Sequence, residues 1–346
     1  MTSQKNKLLS KLPIRILVSP KSLLELQSLL QSEADLAVEL INSQEQQPGV
    51  QFDAALISRD VTATSTKQKT DPSTQIYYDL LLGASDLKWV QIHSAGADRH
   101  IYLDLMKRGI KITGSSGVNA QVVMQNTIAA ILMLARHFPK LLKAQGQKRW
   151  DSLINYPLPP DLAGQTAVII GRGPIGSAIA RTLEVFGVNT ISVGFNPVLK
   201  NRNQDDHQGE QGPYHISDLN QVLPKAQWLV LACPLSAETR NLINTKSIAL
   251  LPDGAHFINV ARGEIVCEPD LIEALKNKKL AGAYLDVFAS EPLDPASPLW
   301  EMDNVIITPH SAGHSLGNED RVLHLFVQNL RAFAGGEKLK NLINTA

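Results

Sequence analysis

The sequence predicts an α/β protein made of two units, each an open and mostly parallel β-sheet with helices on both faces. Three observations carry this prediction. From residue 166 onward, six short apolar runs alternate with helical patterns, and the first 118 residues repeat the alternation on a smaller scale. A chain of 346 residues with 44% hydrophobic content also exceeds the size at which one core keeps growing.

The first unit has four apolar runs that read as strands, with helical segments such as 23–30 between them; the runs are 14–18, 54–57, 89–93 and 110–113. This pattern predicts a smaller, flavodoxin-like α/β unit. Polar stretches at 62–73 and 200–212 predict exposed loops. The uncharged stretch 112–135 is continuously apolar only from 128 to 135, which predicts a buried helix and no membrane span.

The larger unit has six strand-like runs, at 166–170, 190–193, 228–232, 256–260, 282–286 and 304–308. Between the first two, apolar residues recur at helical spacing at Ile175, Ala178, Ile179 and Leu183. The chain there runs strand, glycine turn, helix, strand. This βαβ crossover predicts a doubly wound parallel sheet of the Rossmann type.

Charge and cysteine content exclude several classes of function. The 33 basic and 33 acidic residues cancel, so no excess of positive charge favours nucleic acid or an anionic membrane, and small solutes are the expected ligands. Cys233 and Cys267 lie in or beside apolar segments without metal-ligand spacing, which predicts reduced packing residues and no metal. The first 20 residues lack a continuous apolar segment, which favours a cytoplasmic protein.

A glycine-rich motif follows the first strand of the larger unit and opens its helix; it consists of Gly171, Arg172, Gly173, Pro174, Ile175 and Gly176. The first glycine allows a tight turn, the second a close approach of the backbone to a pyrophosphate, and the third close helix–strand packing. The helix N-terminus adds unpaired N–H groups. A glycine turn without a ligand is the alternative, but this context predicts a dinucleotide site.

The next strand ends at Gly194, Phe195 and Asn196, without the acid that usually binds the ribose hydroxyls of NAD. None of these residues would repel a 2′-phosphate, and Lys200 and Arg202 follow closely, either as phosphate ligands or as solvated loop charges. The cofactor is therefore NADP or NAD, and NADPH is expected to be accepted at least as well as NADH.

Charged residues follow three later strands: Arg262 after 256–260, Asp286 and Glu291 at and after the end of 282–286, and His310 after 304–308. Ligands of open parallel sheets bind at the carboxyl ends of the strands. Each residue alone has an ordinary structural explanation. Together they suit reduction of a 2-oxo acid, since a cation binds carboxylate and carbonyl while a histidine beside a carboxylate supplies a proton.

These residues lie in motifs that resemble the D-isomer-specific 2-hydroxyacid dehydrogenases of the glyoxylate/hydroxypyruvate reductase type. The resemblance runs from residues 91–98 to 341–343. Its motifs are QIHSAGAD at 91–98, GRGPIG at 171–176, CPLSAETRNLIN at 233–244, FINVARGEIV at 257–266, LAGAYLDVFASEPL at 280–293 and VIITPHSAGHS at 305–315.

The resemblance implies a role for each candidate residue. His310 would be the general acid/base, Glu291 the partner that favours the imidazolium, and Arg262 the residue that binds substrate and polarises its carbonyl. The turn of Ser94, Ala95 and Gly96 would bind the substrate carboxylate. Further cofactor contacts would come from Cys233, Pro234, Val260, Ala261, Asp286 and Gly313, together with Arg262 and His310.

The resemblance also implies the domain organisation and the assembly. Residues 119–313 would form the nucleotide-binding domain, and residues 1–118 with 314–346 the substrate domain. A homodimer would form through the nucleotide domain. The sequence departs from the family pattern at the missing acid near Gly194 and at Gln125, where the family often has a glutamate.

Two other classes compete with the dehydrogenase interpretation. A non-catalytic dinucleotide sensor could share the scaffold, although the set of Arg262, Glu291 and His310 argues against it. An amino-acid dehydrogenase, or a hydrolase that uses NAD transiently, would need other groups, such as a lysine at the substrate position. The sequence leaves the substrate open among glyoxylate, hydroxypyruvate and larger 2-oxo acids.

Overall fold

The computed structural model describes residues 12–33, 35–63, 65, 69–97, 99–195 and 214–343. The chain divides into two compact units, Met1–Val118 with Leu316–Ala346 and Asn119–Ser315. Each unit contains one sheet covered on both faces by helices, so the predicted α/β fold with Rossmann-type topology is confirmed.

The smaller unit has a six-stranded sheet in the order β13-β5-β4-β3-β1-β2. Its strands are β1 Ile14–Val18, β2 Val38–Asn42, β3 Ala54–Ile57, β4 Trp89–Ile92, β5 Lys111–Thr113 and β13 Leu342–Ile343. Its helices are α1 Pro20–Leu30, α2 Arg59–Thr62, α3 Pro72–Gly83, α4 His100–Lys107 and α11 Asn318–Gly335. Helices α3 and α4 cover one face, while α1 and α11 cover the other.

The larger unit has a seven-stranded sheet in the order β12-β11-β10-β9-β6-β7-β8, and all its strand pairs are parallel. Its strands are β6 Thr166–Ile170, β7 Asn189–Gly194, β8 Tyr214–His215, β9 Trp228–Leu231, β10 Ala255–Asn259, β11 Leu280–Leu285 and β12 Val305–Ile307. Its helices are α5 Ala120–Ala135, α6 Phe138–Gly146, α7 Pro174–Val185, α8 Leu219–Val222, α9 Thr245–Leu250 and α10 Glu268–Lys276.

The chain crosses from one side of β6 to the other after β8. It runs from β6 outward to β7 and β8, then returns to β9 on the opposite side of β6. This is the topological switch point at which parallel sheets bind nucleotides, beyond the carboxyl ends of β6 and β9.

The structure adds three short strands that the sequence analysis missed: β2, β8 and β13. Strand β2 is an edge strand with no fully buried residue, so its sequence VELIN lacks a strong apolar run. Strands β8 and β13 have two residues each, too few for a periodic pattern. The predicted loop at 62–73 is shorter than expected because Thr62 ends α2 and Pro72 begins α3.

Among the described residues, none of the helices is long and apolar enough to cross a membrane. The uncharged stretch forms β5 and then α5, whose 16 residues include eight buried ones. In the same described parts of the chain, the structure contains no cluster of three or more His, Cys, Asp or Glu suited to a metal ion.

The half-buried His256 couples the stability of the larger unit to pH. The His256 ring stacks on Trp228, with centroids 4.2 Å apart, and burial together with the nearby His137 lowers its pKa from 6.5 to about 4. Between pH 6.5 and about 4, His256 therefore binds a proton in the unfolded chain but not in the folded chain.

We expect His256 to contribute stability above pH 6.5 that is lost as the pH falls towards about 4. At about 1.4 kcal/mol for each pKa unit, the full loss is on the order of 3 kcal/mol. The measurement is the free energy of unfolding in urea at pH 7 and pH 4.5 for the parent and His256→Gln. The parent should lose more stability than the variant, and equal losses would contradict the assignment.

Candidate active site

The glycine motif forms the turn between β6 and α7 at the switch point. Gly171 has a φ of +122°, and a Cβ on it would overlap the Ala232 carbonyl and lie 2.8 Å from the Cys233 nitrogen. A Cβ on Gly176 would overlap the Gly171 carbonyl and lie 3.3 Å from the Ile169 side chain. Both positions therefore require glycine, the first for its backbone conformation and the second for close helix–strand packing.

Gly173 differs from the other two glycines, because a Cβ on it would meet no atom within 4 Å. This open space lies directly before the first turn of α7, whose N-terminal N–H groups at Ile175 and Gly176 precede the first intrahelical bond, from Ser177 N–H to the Gly173 carbonyl. Pro174 has no N–H and occupies the first helical position. A backbone cradle with exposed donors and positive partial charge fits the pyrophosphate of a dinucleotide.

The end of β7 lies beside this turn, because the Gly171 N–H donates to the Val193 carbonyl at 2.8 Å. Gly194 is the last residue of β7 and is buried, while Phe195 is half-buried. Asn196, the third predicted ribose neighbour, lies outside the described residues, as do Lys200 and Arg202.

Cys233 and Pro234 follow β9 on the other side of the switch point. Cys233 is buried, and burial raises the pKa of its thiol to about 12, so the thiol is neutral and unreactive at physiological pH. Pro234 is exposed at the same strand end. The two residues form one wall beside the glycine turn, with Cys233 contributing packing.

The loop after β10 carries Arg262 and is fixed by the side chain of Asn259. The Asn259 amide donates to the Arg262 carbonyl and accepts from the Ala261 N–H, both at 3.0 Å. Val260 and Ala261 are buried, and the half-buried Arg262 guanidinium donates to the Ala261 carbonyl at 2.7 Å. The loop thus holds its cation at the carboxyl edge of the sheet.

His310 and Glu291 form a hydrogen-bonded pair at the same edge. The Nδ1 of His310 lies 2.8 Å from Glu291 Oε2, and Glu291 Oε1 accepts from the Phe288 N–H at 3.1 Å. An ionised carboxylate only accepts hydrogen bonds, so the Nδ1–H of His310 is the donor. Nε2 is then the ring nitrogen that can exchange a proton. The His310 side chain is 45% exposed and that of Glu291 28%, so the imidazole is accessible and its partner is partly covered.

Asp286 holds the loop that carries His310. Its Oδ1 accepts from the Thr308 hydroxyl at 2.6 Å, the Ser311 N–H at 2.8 Å and the Ala312 N–H at 3.0 Å, and its carbonyl accepts from the His310 N–H. Burial raises the pKa of Asp286, and these hydrogen bonds oppose that shift. Asp286 is 3% exposed, and these hydrogen bonds fix the loop that carries His310.

The last predicted cofactor residue of this loop, Gly313, lies against the start of α5. A Cβ on Gly313 would overlap the Asn119 amide nitrogen and lie 3.6 Å from the Val123 side chain. The glycine therefore allows the loop after β12 to pack closely on the segment that leads into α5.

The predicted carboxylate-binding turn belongs to the smaller unit, where it follows β4. The Ser94 carbonyl accepts from the Ser115 N–H, and its hydroxyl donates to the Gly96 carbonyl at 2.9 Å. A Cβ on Gly114 would lie 2.9 Å from the Ala95 carbonyl. The turn is therefore fixed by the segment after β5, with Ala95 exposed and Ser94 and Gly96 half-buried.

Sequence reasoning missed the residues that hold these loops in place. Asn259 and Thr308 lie inside the matched motifs, but a polar residue in an apolar run gives no direction for its side chain. A signal did exist for Asn259, because a fully buried strand rarely contains an asparagine without a hydrogen-bonding role.

Comparison with known proteins identifies the family of the chain. The family profile described as D-isomer specific 2-hydroxyacid dehydrogenase, NAD binding domain, matches residues 128–312. The chain is 32% identical over 268 residues to a glyoxylate reductase from Thermofilum pendens, and the match covers 77% of each protein.

Two solved structures resemble the whole chain. A D-isomer specific 2-hydroxyacid dehydrogenase from Xanthobacter autotrophicus, in complex with NADPH and MES, has a TM-score of 0.72 at 28% identity and covers 95% of this chain and 98% of its own. An NADPH-dependent glyoxylate/hydroxypyruvate reductase from Sinorhizobium meliloti, in complex with NADP and sulfate, has a TM-score of 0.71 at 25% identity and covers 95% and 98%. The chain belongs to the D-isomer specific 2-hydroxyacid dehydrogenase family and is an oxidoreductase that acts on CH–OH groups with NAD(P).

Proposed function

We propose that this enzyme interconverts a small 2-oxo acid and the corresponding D-2-hydroxy acid, with His310 as general acid/base, Glu291 as its partner and Arg262 as the substrate-binding cation. The single observation that carries the proposal is the His310–Glu291 pair, with 2.8 Å between Nδ1 and Oε2, at the strand edge that also carries Arg262.

The geometry of the pair suits proton transfer in both directions. Glu291 is oriented by the Phe288 N–H and stabilises the imidazolium through Nδ1, which leaves Nε2 to give a proton to the nascent alkoxide during reduction. In the oxidation direction the neutral imidazole takes the proton back. The nicotinamide ring, when bound, supplies or accepts the hydride.

Substrate binding requires groups for one carboxylate and one carbonyl. The planar Arg262 guanidinium can donate to both at once, while the backbone N–H groups of Ala95 and Gly96, in the turn after β4, would bind the carboxylate. These assignments rest on the position of Arg262 at the strand edge and on the resemblance of the 91–98 motif.

We further propose that NADPH is accepted at least as well as NADH. The end of β7 lacks an acidic residue up to Phe195, so no described charge there repels a 2′-phosphate. The relatives in complex with NADPH and with NADP support this proposal.

The experiment that tests the proposed function is a panel of 2-oxo acids, including glyoxylate, hydroxypyruvate and longer homologues, assayed by loss of reduced-cofactor absorbance with NADH and NADPH in parallel. Chiral analysis of the products identifies the isomer. We expect turnover of small 2-oxo acids to D products. Tight cofactor binding without turnover of any member would favour the non-catalytic alternative for this site.

We propose that the larger unit forms a homodimer. Phe138 on α6 and three residues of the segment after it are large, apolar and solvent-exposed, with Trp150 at 97%, Ile154 at 78% and Leu158 at 69% exposure. Large exposed apolar side chains concentrated in one segment are typical of a protein interface, and a second copy of the chain is the partner that the resemblance implies.

We propose that the protein is located in the cytoplasm. Its two cysteines form no disulfide, which suits a reducing compartment.

We expect the double substitution Trp150→Glu with Ile154→Glu to raise the dimer dissociation constant by roughly 100-fold or more, because it places two charges in an apolar contact. Sedimentation equilibrium measures the constant. Leu24→Glu, on the smaller unit and similarly exposed, is the control and should leave the constant unchanged. A parent enzyme that is monomeric, or a double variant that dimerises normally, would contradict the assignment.

A further inference from the structure

The second residue of the glycine motif, Arg172, lies over the end of β7. A Cβ on Gly194 would overlap the Arg172 Nε and lie 2.9 Å from Cζ and 3.0 Å from Nη2. The guanidinium therefore fills the space that any side chain at position 194 would occupy. Gly194 is buried beneath it, and Arg172 itself remains half-buried.

The backbone of Arg172 is held in the turn by hydrogen bonds on both sides. The Gly171 N–H donates to the Val193 carbonyl at 2.8 Å, which joins the turn to the last residues of β7. The Arg172 carbonyl accepts from the Ser177 hydroxyl at 3.3 Å. Both sides of the Arg172 backbone are thus anchored, and its side chain lies over Gly194.

The charge at this place is opposite to that of an NAD-binding site. In a βαβ dinucleotide site, the end of the second strand meets the adenosine ribose, where an acid accepts hydrogen bonds from the hydroxyls. Here β7 ends without an acid, and a guanidinium covers its last residue. A guanidinium has five N–H donors in a planar fork that matches a phosphate.

The neighbouring residue on the edge strand does not offer a competing donor. His215 pairs with Gly194 in the sheet, but its Nε2 donates to the Phe195 carbonyl at 3.0 Å and its Nδ1 accepts from the Ser217 N–H at 3.2 Å. Its ring therefore fixes the end of β7 in place. Among the described residues at this strand end, Arg172 is the cation positioned for an anionic group on the ribose.

We propose that Arg172 binds the 2′-phosphate of NADP(H), and that residue 194 is glycine because a side chain there would displace the guanidinium. The inference rests on the proposed function for its cofactor, and it identifies the residue that determines cofactor choice. The inference concerns cofactor binding only, so measurements of cofactor binding test it without a substrate.

The test is equilibrium binding of four probes to the full-length protein by calorimetry: NADPH, NADH, 2′,5′-ADP and 5′-ADP. We expect Arg172→Ala to weaken NADPH and 2′,5′-ADP by roughly tenfold or more, the scale of a lost charge-assisted hydrogen bond, while NADH and 5′-ADP change by less than about twofold. Arg181→Ala, an exposed arginine on helix α7, which follows the turn, is the matched control and should change none of them.

Two further variants separate the charge of Arg172 from its placement. Gly194→Ala keeps the guanidinium but occupies its space, so it should weaken NADPH selectively. The carboxylate introduced by Gly194→Asp should pair with Arg172 and shift the cofactor preference from NADPH to NADH. Asn196→Asp, which introduces the same charge two residues later, is its control. Circular dichroism and the melting temperature establish that each variant is folded.

Three outcomes would overturn the proposal. Equal weakening of NADPH and NADH by Arg172→Ala would mean that the guanidinium contacts a part common to both cofactors. Unchanged NADPH binding would remove Arg172 from the site. Loss of phosphate selectivity in Lys200→Ala or Arg202→Ala, with Arg172→Ala retaining it, would assign the role to the following loop. These binding measurements do not depend on turnover, so they test the role of Arg172 even if no 2-oxo acid in the panel is reduced.

Discussion

His310→Asn should lower kcat by roughly 100-fold or more, the scale expected when a general acid is lost, while the dissociation constant for NADPH stays within about twofold. Asparagine is the suitable replacement because His310 has a φ of +52°, a left-handed conformation that asparagine tolerates well. The backbone hydrogen bond from residue 310 to the Asp286 carbonyl is then retained.

Single-turnover measurements with the preferred 2-oxo acid report the chemical step directly, and cofactor binding by fluorescence reports the integrity of the site. Glu291→Gln is the companion variant: it keeps the shape of the partner but removes the charge that favours the imidazolium. We expect its effect on kcat to be smaller than that of His310→Asn, because the imidazole that transfers the proton is still present. Near-normal turnover in His310→Asn would remove His310 from the mechanism.

The sheets of both units could be predicted because their central strands are long, apolar and buried on both faces. Strands such as β6 and β10 could be predicted from their apolar runs, because helices cover them on both faces of the sheet. Edge strands such as β2 could not be predicted in this way, because none of the five β2 residues is fully buried. The location of the candidate residues at strand ends followed from topology, which fixes where parallel strands finish.

The side-chain partners within the site could not be predicted, since they depend on loop geometry. Nothing in the sequence indicates that Asp286 holds the His310 loop through Ser311 and Ala312, or that Arg172 lies over Gly194. The position of Asp286 near the cofactor, which the resemblance implies, stays a prediction, and its buried carboxylate contacts its own loop. The Glu291–His310 distance depends likewise on the turn that brings residue 291 back to the edge of the sheet.

The role of Arg262 depends on a planar fork whose position is set by its own loop. Asn259 fixes the backbone on both sides of Ala261, and the Arg262 guanidinium donates to the Ala261 carbonyl at 2.7 Å, which restricts its direction. A lysine has the same charge, but its ammonium is a single point of charge on a flexible chain. It can contact the carboxylate or the carbonyl of a 2-oxo acid, but not both in the same fixed geometry.

Arg262→Lys should therefore raise KM and lower kcat together for the preferred 2-oxo acid, with kcat/KM falling by roughly 100-fold, or about 3 kcal/mol of transition-state binding. Steady-state kinetics over a range of substrate concentrations separates the two constants. Arg240→Lys, an exposed arginine after β9, is the matched control for a charge-conserving change and should leave both constants unchanged.

If KM and kcat of Arg262→Lys both stay within about twofold of the parent, Arg262 neither binds the carboxylate nor polarises the carbonyl. A rise in KM with unchanged kcat would assign it to the carboxylate alone, because ground state and transition state would then lose the same interaction.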